Sequence, residues 1–259
     1  MTNEQQVARW LADAQRAVAF TGAGISTESG IPDFRSPRGI WSQSRPVYFD
    51  EFMASADARY EYWRQKSAAH RDFANSQPNA GHRVLAEWER AGRLIGVITQ
   101  NIDGLHQLAG SQQILELHGT ARQIGCLDCE ARFEADAMVA SFLAEDQVPR
   151  CPNCGRDRLK HATISFGQQL DARVLGSAER WASETDLMFA IGSSLVVYPA
   201  AAIPQMAERA GARLVIINRD PTPLDAAANV VFRASIGEAL NAIDAAYRND
   251  FAPRAEPSH

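Results

Sequence analysis

Four runs of the chain are apolar without alternation: Ala17-Val18-Ala19-Phe20, Leu94-Ile95-Gly96-Val97-Ile98-Thr99, Leu187-Met188-Phe189-Ala190-Ile191 and Arg213-Leu214-Val215-Ile216-Ile217-Asn218. Val230-Val231-Phe232 is a candidate fifth. A strand with one face in water alternates apolar and polar positions. A strand covered on both faces does not, and that is the habit of parallel sheets. Between the runs the spacing turns helical. Residues 4–16 place Val7, Trp10, Leu11 and Ala14 on one face. Residues 50–76, 80–91, 199–211 and 236–247 read as further helices, and Gly92 suits a helix stop. The 50–76 stretch and its flank are rich in aromatics (Phe49, Phe52, Tyr60, Tyr62, Trp63, Phe73), which suits a packed helical subdomain. Strands separated by helices predict an α/β fold with a doubly wound parallel sheet. The block from about 120 to 160 breaks this rhythm and reads as an insertion. No internal repeat is evident, and the tail from Ala252 reads as frayed.

Length and composition narrow the class. The chain has 259 residues, enough for a sizeable core and one or two domains. With 46% hydrophobic and 22% charged residues it is neither mainly disordered, nor collagen-like, nor a disulfide-dense miniprotein. A formal net charge of -5 and a pI near 5.7 argue against a protein living on phosphate-backbone contacts, so nucleic acid is not an expected partner. The first residues, Met1-Thr2-Asn3-Glu4-Gln5-Gln6, have neither the basic nor the apolar region of a secretory signal. Residues 187–204 carry no charge over a near-spanning length, but Gly192-Ser193-Ser194 and Pro199 interrupt them. They read as a strand, a polar loop and the start of a helix. A cytoplasmic chain with no membrane partner is expected.

The candidate chemistry sits mostly at strand ends, where open α/β sheets bind ligands. Gly22-Ala23-Gly24-Ile25-Ser26 follows the first strand, and its glycines let backbone N–H groups approach a diphosphate. The third glycine of the usual dinucleotide fingerprint and its ribose-binding acid are absent, so a structural Gly-rich turn fits this segment alone equally well. Gly30-Ile31-Pro32-Asp33-Phe34-Arg35-Ser36 continues as a loop with a charge pair and a stacking face; a solvated ion pair is the plainer reading. Gln100-Asn101-Ile102-Asp103 ends the second strand and offers amides and a carboxylate for a polar heterocycle or ribose, more than helix capping needs. Gly192-Ser193-Ser194 offers small hydroxyls, and Asn218-Arg219-Asp220 ends the last clear strand. Among six histidines, His118 stands out by following an apolar stretch and preceding Gly119 next to the insertion. A neutral imidazole there suits a general base near pH 7.

The four cysteines form two C-x2-C knuckles, Cys126/Cys129 and Cys151/Cys154. Two such knuckles match a tetrahedral four-thiolate zinc site. A redox motif needs only one. With four ligands the site is closed, hence structural, and no cysteine is left as a nucleophile.

Taken in order, Gly22 through Arg35, Thr99-Gln100-Asn101-Ile102-Asp103, Leu117-His118-Gly119, the paired knuckles, Phe166-Gly167 and Gly192-Ser193-Ser194-Leu195 resemble the sirtuins, NAD-dependent protein lysine deacylases. The resemblance covers roughly residues 12–247, and its segments Gly30 to Ser36 and Tyr60-Glu61-Tyr62-Trp63-Arg64 look closest to the mitochondrial-type, class II branch. It implies a large Rossmann-like domain (1–38, 80–120 and 160–250) and a small domain joining a helical module (39–79) to a zinc ribbon (121–159), with 252–259 as a tail. It also implies a cleft where NAD meets an acyl-lysine peptide, in a monomer or weak homo-oligomer. Gly22, Ala23, Gly24, Ser26 and the loop through Asp33, Phe34 and Arg35 would hold the diphosphate and nicotinamide ribose. Asn101, with Ile102 and Asp103, would line the nicotinamide pocket, and Gln100 would sit near the ribose. Gly192, Ser193, Ser194, Asn218, Arg219, Asp220 and Ile236 would meet the adenosine half. In the family reaction the acyl oxygen displaces nicotinamide, and His118 would then activate a ribose hydroxyl as general base, leaving O-acyl-ADP-ribose. The peptide would add as a strand between Phe166-Gly167 and Val196. Mono-ADP-ribosylation and NAD hydrolysis would use the same pocket.

Two departures bear on substrate choice. Ser165 stands where an aromatic is common, and Gln168 where an acidic residue is common, both in the peptide-docking stretch. The Tyr-x-x-Arg pair of succinyl-preferring sirtuins is absent, since Tyr62 is followed by Trp63, Arg64 and Gln65.

Overall fold

The computed structural model describes residues 1–33 and 45–251, and of 71–74 the backbone alone. Phe34, Arg35 and Ser36, the tail from Ala252, and the side chain of Phe73 lie outside the described residues.

The apolar runs form one all-parallel sheet. Its strands are β1 (Ala17–Thr21), β2 (Gly96–Thr99), β3 (Ile114–Glu116), β7 (Leu187–Ile191), β8 (Arg213–Ile217) and β9 (Val230–Phe232), in the order β3-β2-β1-β7-β8-β9. The alternation expected of a strand survives, but both sides of it are apolar. Ala17 and Ala19 face one core with Leu187, Phe189 and Ile191, whereas Val18 and Phe20 face the other with Met188 and Ala190. On the first face lie α1 (Asn3–Asp13), α4 (Ala80–Arg90) and α9 (Ile236–Asp250), contributing Leu11, Leu85, Trp88 and Ile243. The Trp88 indole N–H donates to Asp244 at 2.9 Å and ties α4 to α9. On the other face lie α7 (Ala172–Glu184) and α8 (Ala202–Arg209), whose Ala178, Ala182 and Ala207 let the helices approach closely.

The insertion builds a second sheet, antiparallel, in the order β5-β4-β6: β4 (Gly119–Cys126), β5 (Arg132–Glu134) and β6 (Leu159–Thr163). It shares a single core with α2 (Phe49–Ala54), α3 (Ala56–Ala74) and α6 (Ala135–Glu145): Phe52, Trp63, Ile124, Phe142 and Leu159 meet there, with Cys126 and Cys151 at its edge. The buried Trp63 N–H donates to the Leu159 carbonyl at 2.8 Å. The helix expected over 50–76 is two helices, broken at Ser55. The Ser55 hydroxyl accepts from the N–H groups of Asp57 and Ala58, at 3.2 and 3.3 Å, so its side chain restarts the helix rather than continuing it. The turn after β1 likewise runs into a 3-10 helix, Ala23–Ser29, rather than an α-helix. Among the described residues no helix is long and apolar enough to cross a membrane.

Candidate active site

The sheet order reverses between β1 and β7, so the chain leaves these two strands in opposite directions and opens a crevice at their carboxyl ends. The loops leaving them interlock. Gly22 N–H donates to the Ile191 carbonyl at 2.9 Å, and Gly24 N–H to the Gly192 carbonyl at 2.8 Å. A Cβ on Gly24 would stand 2.7 Å from Gly192 Cα, and Gly192 itself has φ +62°. Only glycine satisfies both positions. The glycines thus let the two loops pack together and line one crevice, with the N–H groups of Gly22, Gly24 and Gly192 spent on holding the loops in place.

A cleft of about 1330 Å³ opens over this point. Gly22, Ala23, Gly24 and Asp33 line it from the first loop, Gln100, Asn101 and Ile102 from the end of β2, and His118 from the start of β4. Gly192, Ser193 and Ser194 line it after β7, Asn218, Arg219 and Asp220 after β8, and Ile236 at the start of α9. Phe166 and Gly167 form part of its wall. Side chains already organise one another across the crevice. Gln100 Nε2 donates to the Ser193 hydroxyl at 2.8 Å, joining the β2 and β7 tips. Asn218 Nδ2 donates to the Asp220 carbonyl at 2.7 Å, and Arg233 donates to the Asn218 carbonyl at 2.8 Å.

Ser26 and Asp103, expected among the lining residues, lie one layer behind. Both are buried, and the Ser26 hydroxyl donates to Asp103 Oδ2 at 2.7 Å. The other oxygen of Asp103 accepts from Leu105 N–H at 2.9 Å and caps α5 (Leu105–Ala109). Asn101 Nδ2 donates to Ser26 at 3.1 Å. Asp103 therefore holds the hydroxyl that orients the Asn101 amide, because its own oxygens are already taken.

The His118 geometry defines its chemistry. Its Nδ1 lies 3.0 Å from the Gln100 carbonyl oxygen. A carbonyl only accepts, so Nδ1 carries the proton and the neutral ring keeps its lone pair on Nε2. Burial lowers its pKa below 6.5, partly opposed by that hydrogen bond, so the ring is neutral at pH 7. Among the described residues no other histidine lines the cleft. His82 and His106 stack edge-on behind it, 4.9 Å between centroids; burial holds His82 down at about 4 and His106 well below its ordinary value. His70 bonds Asp136 at 2.7 Å, and burial pushes His161 down to about 3.

At the cleft mouth, Ile164 N–H donates to the His118 carbonyl at 2.8 Å, which carries the chain from the base to the Phe166-Gly167 segment. Phe166 rests on Tyr48, 5.7 Å between centroids, and remains 40% exposed. Val196 does not line the cleft; it stands 48% exposed beside it, next to the lining residue Val197. Gln168 has a structural task that an acidic residue would perform differently. Its Oε1 accepts from Ser165 N–H at 3.1 Å and from Lys160 Nζ at 3.4 Å, closing the turn that presents Phe166. Arg64 is exposed and bonds Glu61 at 2.7 Å, away from the cleft lining. Sequence reasoning missed Glu28, Lys66 and Arg233, which also line the cleft. Arg233 was findable, since it follows β9 at the same carboxyl edge of the sheet.

The four cysteine sulfurs lie within 4.8 Å of one another, with Cys126–Cys154 at 3.6 Å and Cys129–Cys151 at 3.7 Å, and none forms a disulfide. Zn–S bonds of about 2.3 Å in a tetrahedron set sulfurs about 3.8 Å apart, so the four thiolates fit one zinc ion. Four thiolates around Zn²⁺ leave a net charge of about -2. Arg150, Arg156 and Arg158 line the recess beside Cys154, where Arg156 and Arg158 lie 3.6 and 3.4 Å from Asp128.

Comparison with known proteins gives the following. The Sir2 family model matches residues 22–199. An NAD-dependent protein deacetylase of Rhodopseudomonas palustris is 48% identical over 238 residues, covering 91% of this chain and 94% of that protein. NAD-dependent protein deacetylase 1 of Bradyrhizobium diazoefficiens is 50% identical over 232 residues, covering 89% and 91%. A solved structure of Sir2 with a p53 peptide and NAD+ superposes with TM-score 0.84 at 34% identity, covering 93% of this chain and 96% of that one.

Proposed function

The chain belongs to the Sir2 family, and from that premise we propose that it is an NAD-dependent protein lysine deacylase, which moves the acyl group of an acyl-lysine onto ADP-ribose and releases nicotinamide. NAD supplies the electrophilic ribose carbon and its leaving group; the chain supplies orientation and one base. The observation that carries the reading is His118, held by the Gln100 carbonyl with a free Nε2 lone pair in a cleft at the sheet's switch point.

His118 serves as the general base on a ribose hydroxyl. Asn101, oriented through Ser26 and Asp103, lines the nicotinamide end. The Gly22–Gly24 loop takes the diphosphate, and Ser193, Asn218 and Ile236 take the adenosine half. Phe166, Gly167 and Val196 flank the acyl-lysine peptide, which their exposure at the cleft mouth supports. The zinc ion is structural, since all its positions are filled by cysteine. We divide the chain into an NAD-binding domain (1–38, 80–120, 160–250) and a small domain (39–79, 121–159), a division supported by the separate core of the small unit. Four thiols kept as metal ligands suit the reducing cytoplasm.

Nicotinamide release from NAD is the test, with an acetyl-lysine peptide, with no peptide, and with His118→Ala. Peptide-dependent release, cut about 10²–10⁴-fold in the variant, supports the reading. Release that ignores the peptide points instead to NAD hydrolysis or ADP-ribosyl transfer.

A further inference from the structure

Lys160 is a cation in a place where a core residue belongs. It sits in β6, is 2% exposed, and its ammonium lies 5.7 Å from the centroid of the buried Tyr62 ring. Among the described residues no carboxylate pairs with it; its bonds go to neutral oxygens, the carbonyls of His161 and Thr163 and Gln168 Oε1. An ammonium has three N–H groups, so these acceptors use it fully, whereas a neutral amine could serve only two of them. Burial, and after it the nearby Lys66 and Arg132, push its pKa down to about 7. The cation is kept at a cost, and packing alone does not call for one: an apolar side chain fills such a space without desolvation.

The bonds of Lys160 hold the wall that flanks the peptide in the deacylase reading. Ser165 to Gln168 form a tight turn, closed by Gln168 N–H donating to the Ser165 carbonyl at 3.0 Å, with Gly167 at φ +82° in the third position, which calls for glycine. The Gln168 side chain returns to Ser165 N–H at 3.1 Å. Two backbone bonds fix the front of the segment: Ile164 N–H donates to the His118 carbonyl at 2.8 Å, and Phe49 N–H to the Phe166 carbonyl at 2.9 Å. Lys160 fixes the back. It spans from the Thr163 carbonyl, where β6 ends, to Gln168 Oε1 at 3.4 Å, where the turn closes. One buried ammonium thus ties together both ends of the segment that presents Phe166 and Gly167.

We infer that Lys160 is a positioning residue for the acyl-lysine peptide, acting through Gln168 to hold Phe166 and Gly167 in the geometry that docks the peptide strand. Lys160 itself does not line the cleft, and the residues assigned to NAD stand on other loops, so the clasp governs the peptide and leaves the cofactor alone. The inference rests on the deacylase reading.

The test uses the full chain, NAD and one acetyl-lysine peptide. The KM for each substrate and kcat are measured in the wild type, Lys160→Met, Gln168→Leu, their double variant and Gln168→Glu. Each neutral single variant raises the peptide KM about three- to tenfold and moves the KM for NAD by less than about twofold. The double variant is no worse than Gln168→Leu alone, because both changes break the same bond. Gln168→Glu keeps both acceptor roles and adds charge, so it retains or lowers the wild-type peptide KM, and it rescues nothing when combined with Lys160→Met. The half-buried Gln168 carries the test should Lys160→Met fold poorly. The inference is overturned if the peptide KM does not move, if the KM for NAD rises in step with it, or if the two losses multiply in the double variant. A wild type that turns over no acyl-lysine peptide removes the deacylase reading, and the inference with it.

Discussion

Replacing Gly24 by alanine puts the switch-point geometry under direct strain. The added Cβ would stand 2.7 Å from Gly192 Cα and 2.8 Å from Gly192 O, both backbone atoms that no rotamer change can move aside. The loops after β1 and β7 must part, which stretches the Gly22–Ile191 and Gly24–Gly192 hydrogen bonds of 2.9 and 2.8 Å. Overpacking of this kind costs about 1–3 kcal/mol, and a weakened hydrogen bond adds about 1 kcal/mol. A total of about 2–4 kcal/mol in a chain of this size lowers Tm by roughly 5–15 °C. Thermal melting gives the stability, and the KM for NAD, expected to rise, gives the site. Gly176 in α7 is the control, because a Cβ there meets nothing within 4 Å. Gly176→Ala should raise stability by about 0.5–1 kcal/mol through the chain entropy of glycine alone. A Gly24→Ala protein with unchanged Tm and unchanged KM for NAD would refute the interlocked-loop argument.

Other consequences follow from the same geometry. His118 must be neutral to act as a base, and burial lowers its pKa; the acid limb of kcat/KM should therefore fall below pH 6.5, with a flat profile above it, and a limb centred above 6.5 would contradict this. His82 and His161 are buried neutral with pKa values of about 4 and 3 against an ordinary 6.5. The unfolded chain binds those protons first, so stability should be full above pH 6.5 and decline as the pH falls toward 4; chemical denaturation across that window reads it, and a flat result would count against the burial assigned to these rings. Elemental analysis should find one zinc per chain. Stripping it, or making Cys151→Ser, should melt the small unit whose core Cys126 and Cys151 edge, seen as a lower Tm and loss of peptide-dependent activity.

Fold and site were not equally legible in the sequence. Leu187–Ile191 and Val230–Phe232 were readable to the residue, because strands covered on both faces leave unbroken apolar runs. Strand β3 was missed: Ile114–Glu116 is a half-buried edge strand with too few apolar positions to show a period. The antiparallel sheet of the insertion was missed as well. Arg132-Phe133-Glu134 is a strand with one inward residue, and the knuckles rather than apolar periodicity hold that region in place. The strand-tip residues followed from topology, since parallel strands deliver their carboxyl ends to one edge. That rule does not separate a lining residue such as Asn101 from a supporting one such as Asp103, which takes three-dimensional burial to distinguish. Lys66 carried no signal, because a lysine on a helix reads as solvated until its neighbours are known.

The central claim is acyl transfer to ADP-ribose, and mass spectrometry of the complete product mixture tests it most directly. The account predicts nicotinamide, deacylated peptide and O-acyl-ADP-ribose in equal amounts, with steady-state turnover to all three lost in His118→Ala. Nicotinamide accompanied by free ADP-ribose and an intact acyl peptide would contradict it.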